Sequence, residues 1–477
     1  VKVYSSFTEL QNALNSKTIT CVEVVNSFLL QIKKHNHLNA FIEVYENDAI
    51  ERAKEIDEKI LRGTAGKLAG LVIGNKDVIN HKGYHTTSAS KILNGYKSIY
   101  NATAIDKLLK EDAIIIGRCN CDEFAMGSSN ENSFYGNVKN GLDENKVPGG
   151  SSGGSAVAVQ MDMCMVALGT DTGGSIRQPA SFCGVFGIKP TYGRVSRYGL
   201  IAYASSFDQI GVFSKNVADA AIVLEIISGK DDMDATSSSD SNIQYSKNLN
   251  NSRNYKIAYF NEAINHPKLD KEIASGFKKL FSWLNEKGNT VTATEFNMLD
   301  YLVPAYYLLT TAEASSNLSR FDGIRYGFRS DNAIDLESTY KKNRSEGFGR
   351  EVKRRIMLGT FVLSAGYYDA YYSKAQKVRR VIREQTEKIL EQNDFIIIPT
   401  TPSTAFGIGE KTKDPIEMYL ADIYTVQANI TGLPAVSIPL GKHSNGLPYG
   451  VQVMSKRFSE TELLSFSKYL MENLKSI

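Results

Sequence analysis

Two serines and a lysine carry the chemistry most directly. Ser151 lies in the glycine-rich run GGSSGGSA (149–156), Ser175 in GTDTGGSIRQPASFCG (169–184), and Lys76 in LAGLVIGNKDV (68–78). A hydroxyl is a weak nucleophile until a base takes its proton, and turns stripped of side chains leave N–H groups free to hold a developing oxyanion. The combination points to acyl transfer on an amide or ester. The six histidines (His35, His37, His81, His85, His266 and His443) provide no partner for either serine motif, which leaves Lys76 as the base. A lysine serves as a base near neutrality only if its pKa comes down from ~10.4, about 4 kcal/mol of differential stabilisation, and burial at a strand end can supply this. Asp77 would oppose that drop and is expected to point away, whereas Asn75 is expected to bring a polar group near Lys76.

Thr172, Gly173 and Gly174 precede Ser175 and a predicted helix that opens IRQ. Small residues there let successive N–H groups converge on an anion. Ser175 is therefore read as the nucleophile, the amides of residues 172–175 as the oxyanion hole, and Ser151 as a proton relay between Ser175 and Lys76. Asp171 reads as a turn-stabilising or helix-capping carboxylate, since no histidine accompanies it.

These groups must be brought together by the chain between them. SAVAVQM (155–161) allows about two helical turns, ~10 Å at ~1.5 Å per residue. MCMVALG (163–169) then runs as a strand of about 20 Å. A helix out and a strand back can return residue 175 to residue 151.

Around this unit, Thr20 and Glu23 form a predicted capping box ahead of VVNSFLLQIKKH, and 46–62 repeats apolar positions at Ala49, Ala53, Ile56 and Ile60 before stopping at Gly63. Short apolar runs follow at LAGLVIG (68–74), DAIIIG (112–117), MCMVALGT (163–170), FIIIPT (395–400) and PAVSIPL (434–440), with a helix near 102–110. Runs of this length among helices predict an α/β fold with a mostly parallel sheet covered on both faces. KIAYF (256–260) and a helix near 269–287 add a peripheral part. One domain is expected over 1–477: an N-terminal helical segment (1–62), a catalytic core (63–228), a polar surface loop (229–254), and the rest of the sheet, pocket and C-terminal helix (255–477).

The whole-chain numbers set bounds. The chain has 477 residues, 42% of them hydrophobic and 22% charged, as in a globular protein with a substantial core. A formal net charge of +3 gives no global sign of a nucleic-acid or membrane surface. No apolar run approaches the ~20 residues of a membrane span, and VKVYSSFTELQNAL resembles neither a signal nor a transit peptide, so a cytoplasmic protein is expected. Five scattered cysteines (Cys21, Cys119, Cys121, Cys164 and Cys183) suit a reducing compartment. His81 and His85 lack the setting of a metal site. Cys119 and Cys121 read as buried thiols, and GGSSGGSA lacks the Lys-Ser/Thr ending of a P-loop. No metal or cofactor is assigned to this chain.

Taken together, GGSSGGSA and GTDTGGSIRQPASFCGVFGIKPTYGRVSRYG (169–199) closely resemble the amidase signature family. The resemblance implies an α/β fold with a mixed, largely parallel central sheet covered by helices. It also implies a Ser–cis-Ser–Lys triad of Ser175, Ser151 and Lys76, with oxyanion amides from Thr172 to Ser175. EASSNLSRFDGIRYG (313–327), GREVKRRIMLGTFVLSAGYYDAYYSKAQKVR (349–379) and YLADIYTVQANITGLPAVSIPLG (419–441) narrow it to the glutamine-hydrolysing A subunits of glutamyl-tRNA(Gln) amidotransferases. That narrower resemblance implies glutamine as substrate, with Arg355 on its carboxylate and Asp422 on its ammonium. Tyr306 would contact substrate and Ser128 would line the acyl pocket. It also implies a larger B subunit that uses ATP and Mg2+ and binds tRNA, and a small C subunit. Read from the residues alone, Arg355 is a solvated helix residue beside Lys353 and Arg354, Asp422 a helix cap ahead of IYTVQAN, and Tyr306 a packing residue. A stand-alone amidase of the same family, a silent scaffold and a phosphate-binding protein stay open as competing readings.

Overall fold

The computed structural model describes residues 4–240, 243–250, 253–412 and 415–474. Eleven strands form one sheet among the described residues: β1 (Phe41–Val44), β2 (Val72–Lys76), β3 (Ile114–Cys119), β4 (Val166–Thr170), β5 (Phe186–Lys189), β6 (Ile210–Ser214), β7 (Lys256–Phe260), β8 (Thr290–Thr294), β9 (Phe395–Pro399), β10 (Ala435–Lys442) and β11 (Pro448–Ser455). Their order is β1-β3-β2-β4-β6-β5-β10-β11-β9-β7-β8. All five apolar runs singled out in the sequence become strands. Helices surround the sheet, and one apolar core is continuous from Phe7 to Leu474.

The sheet is mixed, with a smaller parallel share than the sequence suggested. Parallel ladders join β3-β2-β4 and β9-β7-β8, whereas the strands from β4 through β6, β5, β10 and β11 to β9 pair antiparallel. The reason is physical. Central strands buried on both faces read as continuous apolar runs whichever way they point, so composition does not report direction.

Local signals behave as their chemistry requires. The helix Cys21–Lys34 starts with a full capping box, Thr20 Oγ1 accepting from Glu23 N–H and Glu23 accepting from Thr20 N–H. The helix Glu46–Arg62 ends at Gly63, whose φ of 70° closes the last turn. The polar stretch 229–254 contains neither helix nor strand among its described residues. Positions 241–242 and 251–252 of it lie outside them. No helix among the described residues is long and apolar enough to cross a membrane.

The helix Gly153–Gln160 follows the first serine turn, and β4 returns the chain toward the second. Because β2, β3 and β4 are parallel, their C-terminal ends share one edge. Lys76 is the last residue of β2, Thr170 the last of β4, and the loop after β3 carries Asp122 and Ser128. That edge is where an open α/β sheet places a site.

Candidate active site

Lys76 is fully enclosed, at 0% exposure. Its Nζ lies 2.8 Å from each of three hydroxyl oxygens, Ser151 Oγ, Ser152 Oγ and Thr170 Oγ1. Burial strips water from the ammonium and brings the pKa down to about 8, against the pull of neighbouring groups that include Asp122, Asp171 and Asp208. The Ser152 hydroxyl donates to the Thr170 carbonyl at 3.1 Å, so toward Lys76 it acts as an acceptor. Ser151 keeps its proton available for the lone pair of a neutral Lys76. Asp77 points away as expected: its carboxylate accepts from Thr87 N–H at 2.9 Å, Ala89 N–H at 2.7 Å and Arg118 Nη1 at 2.8 Å. Asn75 corrects an expectation. Strand alternation turns its side chain away from Lys76, and its Nδ2 donates to Ile79 C=O at 2.9 Å, so it does not dilute the desolvation.

The two serine turns meet. Ser152 N–H donates to Ser175 C=O at 3.3 Å, and the Gly150–Ser151 peptide is cis. Ser175 is 7% exposed, and its hydroxyl makes no hydrogen bond among the described residues. Asp171 wraps the second turn, accepting from Gly174 N–H at 2.8 Å and Ile176 N–H at 3.2 Å. Arg177 closes on Asp171 through Nε at 3.0 Å and Nη2 at 2.9 Å. Burial works against the Asp171 charge, but Arg177 outweighs it and holds the carboxyl at about 2. This removes one expected oxyanion donor. Gly174 N–H is committed to Asp171, and the amides of Thr172, Gly173 and Ser175 are the ones without a partner among the described residues. Gly173 cannot carry a side chain here, since a Cβ would run into the Tyr306 hydroxyl.

The four expected pocket residues also converge. Ser128 Oγ donates to Asp422 Oδ2 at 2.6 Å, and Gln178 Nε2 donates to Ser128 C=O at 2.7 Å. Gln178 Oε1 in turn accepts from Gly150 N–H at 2.8 Å, tying this loop to the first serine turn. Asp422 is 6% exposed, and burial raises its pKa to about 7 against the hydrogen bond from Ser128 and the charge of Arg355. Its side chain caps no helix; the helix Val426–Thr431 has no side-chain cap. Arg355 is 3% exposed rather than solvated, with Nε 2.9 Å from Glu351 Oε1 and Nη1 2.8 Å from Tyr203 Oη. Tyr306 stands against Gly173, while the adjacent Tyr307 donates to Asp422 Oδ2 at 3.3 Å. A cleft of about 160 Å³ reaches Arg355, lined also by Glu351, Arg354 and Tyr419.

The family model described as Amidase matches residues 23–464. The chain belongs to the amidase family. It is 51% identical over 474 residues to the glutamyl-tRNA(Gln) amidotransferase A subunit of Chlorobaculum parvum, covering 98% of each chain. The protein of the same description from Chlorobium luteolum is 50% identical over 474 residues, covering 98% of this chain and 97% of its own. The crystal structure of the corresponding A subunit from Thermotoga maritima superposes with a TM-score of 0.79 at 41% identity, covering 95% of this chain and 92% of that one. A peptide amidase from Stenotrophomonas maltophilia superposes with a TM-score of 0.85 at 26% identity, covering 99% and 97%.

Within this amidase, sequence reasoning missed Ser152, Thr170, Gln178, Tyr203, Tyr307 and Glu351. Ser152 and Thr170 had a usable signal, since each adjoins a motif residue at the end of an element. Glu351 had one too, four residues before Arg355 on a helix. Tyr203 and Tyr307 had none in a chain with 25 tyrosines. Away from the site, the His81 ring stacks on Tyr84 at 4.2 Å and His85 Nδ1 lies 3.2 Å from Glu43. Cys119 and Cys121 are buried free thiols.

Proposed function

We propose that the chain is the glutamine-hydrolysing component of a tRNA-dependent amidotransferase. The observation that carries this reading is a pair of buried, oppositely charged side chains on one tyrosine, Arg355 over the ring of Tyr307 and Asp422 on its hydroxyl. A free α-amino acid offers one carboxylate and one ammonium. Bidentate geometry suits arginine to the first, and a carboxylate suits the second. The full-length relatives described as A subunits of that enzyme support it further.

In this mechanism neutral Lys76 takes a proton from Ser151, which takes one from Ser175. Ser175 Oγ attacks the side-chain amide carbon of glutamine, and the oxyanion rests on the amides of Thr172, Gly173 and Ser175. Ser151 delivers its proton to the leaving nitrogen and takes one back from Lys76, the C–N bond breaks, and ammonia departs. Water then attacks the γ-glutamyl ester by the same route, releasing glutamate and restoring Ser175. Asp171 and Arg177 hold the oxyanion turn throughout.

The ammonia passes to a B subunit that activates Glu-tRNA(Gln) with ATP and Mg2+, and a small C subunit joins the two. Nucleotide, metal and most of the tRNA contact belong to that partner, which suits the near-neutral charge of this chain. A cytoplasmic location fits its five free cysteines. The continuous core from Phe7 to Leu474 supports reading 1–477 as one domain.

The test is direct. The chain with its partner proteins, given glutamine, should form a glutamyl ester on Ser175 that mass spectrometry detects after acid quench. Ser175→Ala should abolish both ester and ammonia release; retained glutaminase activity in that variant sinks the mechanism. A stand-alone amidase would instead prefer simple aliphatic amides to glutamine.

A further inference from the structure

Arg355 and Asp422 are held by a common scaffold that is separate from the triad. Glu351 Oε1 accepts from Arg355 Nε at 2.9 Å and from Tyr419 Oη at 3.1 Å. The Tyr419 ring stacks on Tyr307, with centroids 3.9 Å apart and planes inclined by 26°. Tyr307 Oη then donates to Asp422 Oδ2 at 3.3 Å. An unbroken path, Arg355–Glu351–Tyr419–Tyr307–Asp422, therefore joins the two charges.

Each end is left with one face open. The Tyr203 hydroxyl donates to Thr310 Oγ1 at 3.0 Å, so it can only accept from Arg355 Nη1. With Nε on Glu351 and Nη1 on Tyr203, Nη2 has no partner among the described residues. The rings of Tyr203, Tyr307 and Tyr419 stand 5.5, 5.2 and 5.7 Å from the guanidinium carbon and fix its plane. At the other end, Ser128 and Tyr307 both bind Oδ2 of Asp422, and Oδ1 has no partner among the described residues.

We propose that Glu351, Tyr419 and Tyr307 are positioning residues that set the separation and aim of Arg355 and Asp422, so that the pocket selects amides carrying a carboxylate and an ammonium on one carbon. Glu351 turns the outer edge of the Arg355 fork toward the ligand, and Tyr307 turns Oδ1 of Asp422 toward it. Tyr419 ties the two adjustments together, because it bonds Glu351 with its hydroxyl and stacks on Tyr307 with its ring. Arg354, whose Nη1 lies 2.5 Å from Glu351 Oε2, holds the far side of that carboxylate. None of these residues bonds to Lys76, Ser151 or Ser175 among the described residues. The inference rests on glutamine being the substrate and adds the residues that enforce the choice.

The experiment uses three amides: glutamine, glutaramate (which lacks the ammonium) and 4-aminobutanamide (which lacks the carboxylate). Ammonia release is measured with the chain in its complex. The wild type should favour glutamine at least tenfold over either analogue. Glu351→Gln should raise KM about tenfold for glutamine and glutaramate, the scale of one weakened charge-assisted bond, and leave 4-aminobutanamide unchanged. Tyr307→Phe, which keeps the stacked ring, should raise KM several-fold for glutamine and 4-aminobutanamide and leave glutaramate unchanged. The kcat values should stay within about twofold, since the triad is untouched. Tyr419→Phe should weaken glutamine binding without removing either charge. Equal losses on all three substrates, or a fall in kcat at unchanged KM, would overturn the positioning role while leaving the glutamine reading standing. A wild type that does not prefer glutamine overturns both.

Discussion

Thr170→Val offers a graded test of Lys76 as the base. Thr170 Oγ1 accepts from Lys76 Nζ at 2.8 Å inside a fully buried site, and the lysine sits at about 8. A neutral base is the active form, so kcat should rise with pH. About one-tenth of the lysine is neutral at pH 7, about half at pH 8 and about nine-tenths at pH 9. Valine keeps the branched shape and removes one acceptor. A hydrogen bond from a charged donor is worth ~1.5–3 kcal/mol and a neutral one ~0.5–1.5, so the ammonium loses about 1 to 1.5 kcal/mol more than the amine. At 1.36 kcal/mol per tenfold, this lowers the lysine pKa by about one, to near 7. The acid limb of the profile should shift with it, and the fraction of plateau activity at pH 7 should climb from about one-tenth to about half. The assay is ammonia release at saturating glutamine from pH 6 to 9.5, because kcat reports the bound complex rather than free substrate. A limb that stays near 8 in the variant, or a wild-type profile flat from pH 6 to 9, refutes the assignment of that limb to Lys76.

Other outcomes follow from the same geometry. Gly173→Ala drives a Cβ into the Tyr306 hydroxyl, so the turn must move, and kcat should fall about 10²-fold, the scale of losing one oxyanion donor, in steady-state assays. Arg177→Met leaves the buried Asp171 carboxylate unpaired and should cost about 3–5 kcal/mol in urea unfolding at pH 7; a loss under 1 kcal/mol would contradict the role given to that pair. Asp422 titrates at about 7 in the fold against an ordinary 3.8, so the folded state binds its proton more tightly and stability falls as pH rises between those values. Asp422→Asn should therefore be more stable than wild type by up to about 4 kcal/mol at pH 8, with the gap closing toward pH 4, while glutamine binding is lost. An equal gap at both pH values would show that the charge is not the cause.

The relation between sequence and site is uneven for identifiable reasons. Lys76, Ser151 and Ser175 were legible because glycine-rich turns around hydroxyls and a lysine at the end of an apolar strand are local signatures with a chemical meaning. Helix ends were legible for the same reason: Thr20 with Glu23 and Gly63 satisfy backbone groups within their own few residues. The direction of the central strands was not, since burial on both faces imposes one composition on parallel and antiparallel neighbours alike. Gly174 illustrates a second limit. Its freedom as an oxyanion donor depends on where the Asp171 side chain goes, and only the folded turn settles that.

The sequence by itself pointed to the reaction type and to three candidate groups, because nucleophile, relay and base each require a residue type in a local setting. The tertiary structure decided the protonation and the pocket. Burial of Lys76 under three hydroxyls arises where parallel strands end at one edge and the first serine turn folds against it. Arg355 read as an exposed helix residue until Tyr203, Tyr307 and Tyr419 closed around it. Those rings come from segments far apart in the chain, and desolvation is a property of what surrounds a group in space.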